Sequence, residues 1–224
     1  MPHFFGRREG ERVLIEGGDA RHLALSLRAR VGEEISVVEP EGRLLRVRLE
    51  SVSPGLVIGS VVFEREHRPE PVGRVTLAVA MLPAAALEQV LARGTELGAH
   101  AFLLVQAERS IARASKPERW AGICREAAML AGRLRVPEVE GPFPPAAAWG
   151  RAEEPYLLQP GSPRRLAELA QPRDLTLFVG PEGGWTDSEA ALAGDRVLGL
   201  GPRNLRAETA ALAGLAVALA VRGD

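Results

Sequence analysis

From residue 74 onward, short apolar runs alternate with helix-like stretches, and this alternation restricts the fold more than any other feature of the chain. "RVTLAVAML" opens the series as a strand. A helix follows that sets Leu87, Val90, Leu91 and Leu97 on one face and stops at Gly98. "AFLLV" is the next strand. The helix after it starts at Ser115 and Pro117 and carries Trp120, Ile123, Cys124, Ala127 and Leu130 at helical spacing. "PYLL" and "LTLFVG" read as strands, with a helix opened by Ser162-Pro163 between them. Thr186 and Glu189 form a capping box for "DSEAALAG". "RVLGLG" is the last strand and "RAETAALAGLAVALAVR" the last helix. Strands and helices in strict alternation form a parallel sheet covered on both faces, so the expected fold class is α/β.

Residues 12 to 64 follow another rule. "RVLIEG", "EISVVEP", "RLLRVRLESV" and "LVIGSVVFE" are strands bounded by Gly, Pro or Glu-Gly turns, and their close spacing suggests a small barrel or meander. A short helix, "ARHLALSLRAR", interrupts them with Asp19 as its expected N-cap. The polar, proline-bearing "EREHRPEPVG", residues 64 to 73, marks a domain boundary. It divides the chain into 1–70 and 71–224.

Three turns of the second domain follow strands: "LLQP" at 157–160, "VGPEGGW" at 179–185 and "LGLGPRNL" at 198–205. Ligands of open parallel sheets bind beyond the carboxyl ends of the strands, and glycine lets main chain approach a ligand closely. No Gly-Lys-Ser/Thr follows any of these turns, and "GPEGG" lacks the glycine spacing of a dinucleotide fingerprint. Each turn taken singly is equally a tight strand-to-helix connection. Together, in the last third of one sheet, they favour a ligand.

Charge says little about that ligand. Net charge is −1, so any nucleic-acid surface must come from local clusters. The clusters are Arg7-Arg8, then Arg21, His22, Arg28 and Arg30, then Arg43, Arg46 and Arg48. Acids interleave with them, so a solvated face is the alternative reading for each. The single cysteine, Cys124, excludes an internal disulfide and a Cys-based zinc site. No histidine pair has metal-ligand spacing, so no metal is expected. "MPHFFGRREGER" lacks a signal-peptide core, and the apolar run from Ala210 to Val221 is too short to span a bilayer. A cytoplasmic protein without a membrane partner is expected.

The pair "FVGPEGGWTDSE" and "LGPRNLRAETAA" resembles the C-terminal signature of the SPOUT methyltransferases. More narrowly, it resembles the family that methylates N3 of a uridine in bacterial small-subunit ribosomal RNA. "TELGAHAF", "ERS" at 108–110, "EAAMLAGRLRVPEV", "MPHFF" and "ARHLALSLRARVGEEI" extend the likeness over nearly the whole chain. The resemblance implies a PUA-like, RNA-binding β-barrel over 1–70. It also implies a SPOUT domain over 71–224 whose C-terminal segment is threaded as a trefoil knot. S-adenosylmethionine would be the methyl donor, 16S rRNA within the small subunit the partner, and a homodimer the assembly. Carried over by position, the cofactor would meet Leu158 and Gln159, then Gly180, Pro181, Glu182, Gly183 and Gly184, then Leu200, Gly201, Asn204 and Leu205. Two positions depart from the family pattern: Leu130-Ala131 replaces a Gln-Ser pair, and Ala84 replaces a basic residue.

Uridine N3 carries a proton that must leave, and the resulting negative charge must be stabilised. A carboxylate and an arginine perform these tasks. Arg206 and Glu208 beside the third turn are the first candidates, with Arg133, after Gly132, as a second cation. An ordinary helix start accounts equally for Glu208, and a helix-end charge for Arg133. Trp185 either covers the cofactor or packs in the core. Two other functions remain open: a transfer-RNA ribose 2′-O-methyltransferase of the same fold, and a non-catalytic RNA-binding factor of ribosome assembly.

Overall fold

The computed structural model describes residues 2–169 and 174–221. The chain divides into two compact units: Met1–Glu70 with Ala128–Val136, and Pro71–Ala127 with Pro137–Asp224.

The first unit is built on β1 (His3–Phe5), β2 (Arg7–Glu9), β3 (Arg12–Glu16), α1 (Gly17–Arg21), β4 (Glu34–Glu39), β5 (Arg43–Val52) and β6 (Leu56–Glu66). The strands form one sheet in the order β1-β4-β5-β6-β3-β2, antiparallel except for the parallel β1–β4 pair. Alternation along β5 buries Leu45, Val47 and Leu49 and leaves Arg46 and Arg48 in solvent. Phe4, Val13, Ile15, Val37 and Val57 complete the core, joined by Met129. The expected N-cap at Asp19 is not found. Helix α1 begins earlier, with Glu16 at the cap, and runs into a π-helical turn at His22–Ser26. Asp19 is buried instead, and its carboxylate accepts the Phe5 N–H at 3.2 Å. A buried acceptor that satisfies a strand N–H outweighs the local preference for capping.

The second unit contains β7 (Val75–Ala80), α2 (Ala84–Leu97), β8 (Ala101–Val105) and α3 (Pro117–Ala131), whose last four residues belong to the first unit. It continues with β9 (Glu138–Phe143), α4 (Pro145–Arg151), β10 (Pro155–Leu158), β11 (Leu175–Val179), α5 (Asp187–Ala190), β12 (Val197–Leu198) and α6 (Ala207–Ala220). The sheet order is β12-β10-β11-β7-β8-β9, and every pair is parallel, as the alternation predicts. All five residues of β11 are buried, the pattern of a strand covered on both faces. Gly98, at φ +106°, terminates α2. Thr186 and Glu189 form the capping box of α5.

Several expectations fail in detail. Leu97 and Leu130 are 44% and 63% exposed, each off the buried face of its helix. The helix opened by Ser162-Pro163 is a single 3-10 turn, Leu166–Glu168, and residues 170–173 lie outside the described ones. Strand β9 and helix α4 escaped the sequence reading. "EVEGPF" carries two glutamates and a proline, which an edge strand tolerates and a strand template rejects.

Candidate active site

Strands β12, β10 and β11 are neighbours, so the three turns lie side by side at one end of the sheet. The turns after β10 and β12 touch main chain to main chain. Gln159 N–H donates to the Leu198 carbonyl at 2.9 Å, and Gly199 N–H to the Arg164 carbonyl at 2.8 Å. A Cβ on Gly199 would lie 2.8 Å from the Ser162 carbonyl oxygen, so only glycine fits there. Beyond it the chain needs a left-handed residue, and Gly201 supplies it at φ +117°. Among the described residues, Leu200, Gly201, Arg203, Asn204 and Leu205 pair none of their backbone N–H groups.

Between these two turns lies a cleft of about 310 Å³, its open mouth included. Leu158, Leu200, Leu205 and Ala210 give it apolar walls, while Gln159 and Arg203 supply polar side chains. Helix α6 closes on it because Gly214 lets the helix approach; a Cβ there would lie 2.8 Å from Leu158 Cδ1. Apolar walls, glycine-permitted close approach and unpaired N–H donors fit a flat apolar ring joined to hydroxyl or carbonyl acceptors. A nucleoside has that chemistry.

The cleft thus gathers Leu158, Gln159, Leu200, Gly201 and Leu205 of the expected cofactor residues. Asn204, on the same turn, is exposed and outside the lining. Gly180, Pro181, Glu182, Gly183 and Gly184 belong to the adjoining turn after β11 and do not line this cleft. That turn has its own order. The Trp185 ring covers Gly180, where a Cβ would lie 3.0 Å from Nε1, and the indole packs against the Phe178 core cluster. Gly184, at φ +72°, returns its N–H to the Pro181 carbonyl at 2.8 Å. Gly183 is pressed by the Arg109 stem, with only 3.2 Å between an added Cβ and Arg109 Cβ. Glu182 projects into solvent at the tip.

Arg206 is the exposed N-cap residue of α6, directly after the cleft-lining Leu205, and its carbonyl accepts the Ala210 N–H at 2.8 Å. Glu208 is half-buried in the first turn of the same helix. Arg133 has a different setting. It is buried in the first unit and donates Nη2 to Glu70 at 2.6 Å, while the other Glu70 oxygen accepts the Leu134 N–H at 2.9 Å. Pro160, Arg203 and Ala210 were missed as lining residues. Arg203 stood in a turn already singled out, whereas Ala210 faces the cleft only through the packing of α6. Among the described residues, no cluster of three His, Cys, Asp or Glu side chains could hold a metal, and no helix is long and apolar enough to cross a membrane.

Residues 68–219 match the family described as RNA methyltransferase domain. The chain belongs to this family. A Synechocystis relative, ribosomal RNA small subunit methyltransferase E, is 33% identical over 91% of this chain and 71% of its own length. Among solved structures, the enzyme of the same name from Neisseria gonorrhoeae, bound to S-adenosylmethionine, is 29% identical with a TM-score of 0.85. That match covers 96% of this RNA methyltransferase and 95% of the Neisseria chain. A Legionella pneumophila methyltransferase structure containing SAM is 25% identical with a TM-score of 0.87, covering 98% of this chain and 97% of that one.

Proposed function

We propose that this RNA methyltransferase transfers the methyl group of S-adenosylmethionine to N3 of a uridine in 16S rRNA of the small ribosomal subunit. The observation that carries this reading is the cleft between the turns after β10 and β12, whose unpaired N–H groups lie beside an exposed arginine at the start of α6. In this reading Leu158, Leu200 and Leu205 hold the adenine, and the N–H groups of 200–205 meet the ribose and base. Gly180 to Gly184 complete the site from the adjoining strand. When bound, S-adenosylmethionine supplies an electrophilic methyl group.

The chain's own residues prepare the nucleophile. Glu208 accepts the N3 proton, and Arg206 stabilises the negative charge left on the uracil ring. Residues 1–70 act as a PUA-like RNA-binding barrel, and 71–224 as a SPOUT domain with a knotted cofactor segment. Ion pairing sorts the arginines of the first unit. Arg8 and Arg43 face Glu64, and Arg46 and Arg48 face Glu34, whereas Arg21, Arg28 and Arg30 are exposed and make no ion pair among the described residues. Those three remain available to phosphate. The protein works as a homodimer in the cytoplasm.

The test is transfer of labelled methyl from S-adenosylmethionine to small subunits that lack the modification, followed by nucleoside analysis. Label in 3-methyluridine is the expected result. Label on a ribose hydroxyl would establish the 2′-O reaction instead, and cofactor binding without transfer would establish a non-catalytic factor. Arg206→Ala, assayed at saturating subunit, is expected to lower the rate about a hundred- to a thousand-fold with cofactor affinity retained.

A further inference from the structure

The turn after β11 is clasped from outside by the loop that follows β8, although β7 separates the two strands in the sheet. Arg109 Nη1 donates to the Gly183 carbonyl at 2.8 Å and approaches the Trp185 carbonyl at 3.4 Å. One residue earlier, the Glu108 N–H donates to Glu189 Oε1 at 2.8 Å, and the other Glu189 oxygen accepts the Thr186 N–H at 2.9 Å. The buried Glu189 carboxylate therefore joins the capping box of α5 to the β8 loop.

The consequence follows from peptide geometry. A trans peptide points its C=O and the next N–H in opposite directions. Drawing the Gly183 carbonyl toward Arg109 turns the Gly184 N–H away, into its bond with Pro181. Drawing the Trp185 carbonyl the same way turns the Thr186 N–H to Glu189. Two adjacent glycines are the most permissive dipeptide available, and ordering them on ligand arrival would subtract from affinity. Arg109 and Glu189 impose the order beforehand, and the Arg109 stem fills the space that a side chain at 183 would need.

We propose that Arg109 is a positioning residue for methyl transfer: it holds turn 181–186 in the shape the cofactor site requires. This rests on the methyltransferase reading above. The experiment compares native protein with Arg109→Ala and Arg109→Lys for S-adenosylmethionine affinity by calorimetry, for kcat, and for KM toward cofactor and rRNA separately. Thermal midpoints check that both variants fold. Loss of a charged hydrogen-bond donor at an exposed site is expected to raise the cofactor dissociation constant about tenfold in Arg109→Ala. KM for rRNA stays unchanged. The lysine variant, able to reach one carbonyl, falls between, and guanidinium ion at non-denaturing concentration restores part of the alanine variant's affinity. Undiminished cofactor affinity in a folded alanine variant, or equal losses toward cofactor and rRNA, overturns the assignment. Should the alanine variant not fold, the lysine variant with and without added guanidinium decides by the same criterion. Native protein that fails to bind S-adenosylmethionine overturns the methyltransferase reading itself, and this inference with it.

Discussion

The Arg133 side chain is only 3% exposed, and Glu70 faces it at 2.6 Å. Burial pushes the Glu70 carboxyl up, but the Arg133 hydrogen bond and charge, with the Leu134 N–H, outweigh it and hold the group below its ordinary 4.5. Because the folded value is depressed, the pair's contribution is present above about pH 4.5, the unfolded value, and is lost as pH falls through the folded one. Removing Arg133 leaves the half-buried Glu70 carboxylate only the more distant Arg135, at 3.6 Å, and the Leu134 N–H, so Arg133→Ala should cost roughly 1–3 kcal/mol at neutral pH. Denaturant titrations of native protein and Glu70→Gln at neutral pH and below pH 4.5 provide the check; the difference should shrink in acid. Arg206, exposed at a helix start, has no such duty and is the better catalytic candidate. In the sequence Arg206 stood ahead of Arg133 only by its place beside the third turn, since each stands at a helix end. Only a carboxylate 63 residues away in the chain distinguishes them.

At the scale of elements, the turns matter more than the strands they follow. Gly201 sits at φ +117°, a conformation in which any Cβ is strained, and it lines the cleft. Gly201→Ala should therefore lower S-adenosylmethionine affinity at least about tenfold, because the unpaired N–H groups around it move. Gly150→Ala is the control: it lies in α4 with open space around it, and should leave affinity unchanged while stabilising the helix by about 0.5–1 kcal/mol. Isothermal titration of both variants decides. The position of each turn was legible, because apolar runs broken by glycine or proline announce the carboxyl ends of buried strands. The glycines' separate duties were not. Gly199 accommodates another turn's carbonyl, Gly214 the Leu158 side chain and Gly183 the Arg109 stem. All three neighbours come from other parts of the chain.

For the whole molecule, the open question is assembly. From Ala210 on, helix α6 is apolar on every side, and the helix buries Ala207, Ala211, Gly214, Leu215, Ala218 and Leu219. Ala216 and Ala220 remain exposed, as does Val221 beyond its end, at 47%. A second copy of this chain is the expected cover, and sedimentation should find a dimer at micromolar concentration; a stable monomer would exclude it. The sequence by itself determined the α/β class and the parallel sheet, because periodicity and turn chemistry are local properties of a chain. Its motifs also carried the resemblance on which the RNA methyltransferase expectation rested. Tertiary structure alone decided that β11 enters between β10 and β7, and that residues 128–136 join the first unit. It alone decided that the turns after β10 and β12 share one cleft while the turn after β11 is held by Arg109. These facts depend on which distant segments meet. That choice is made by burial and by the pairing of main-chain groups, and no local pattern of residues records it.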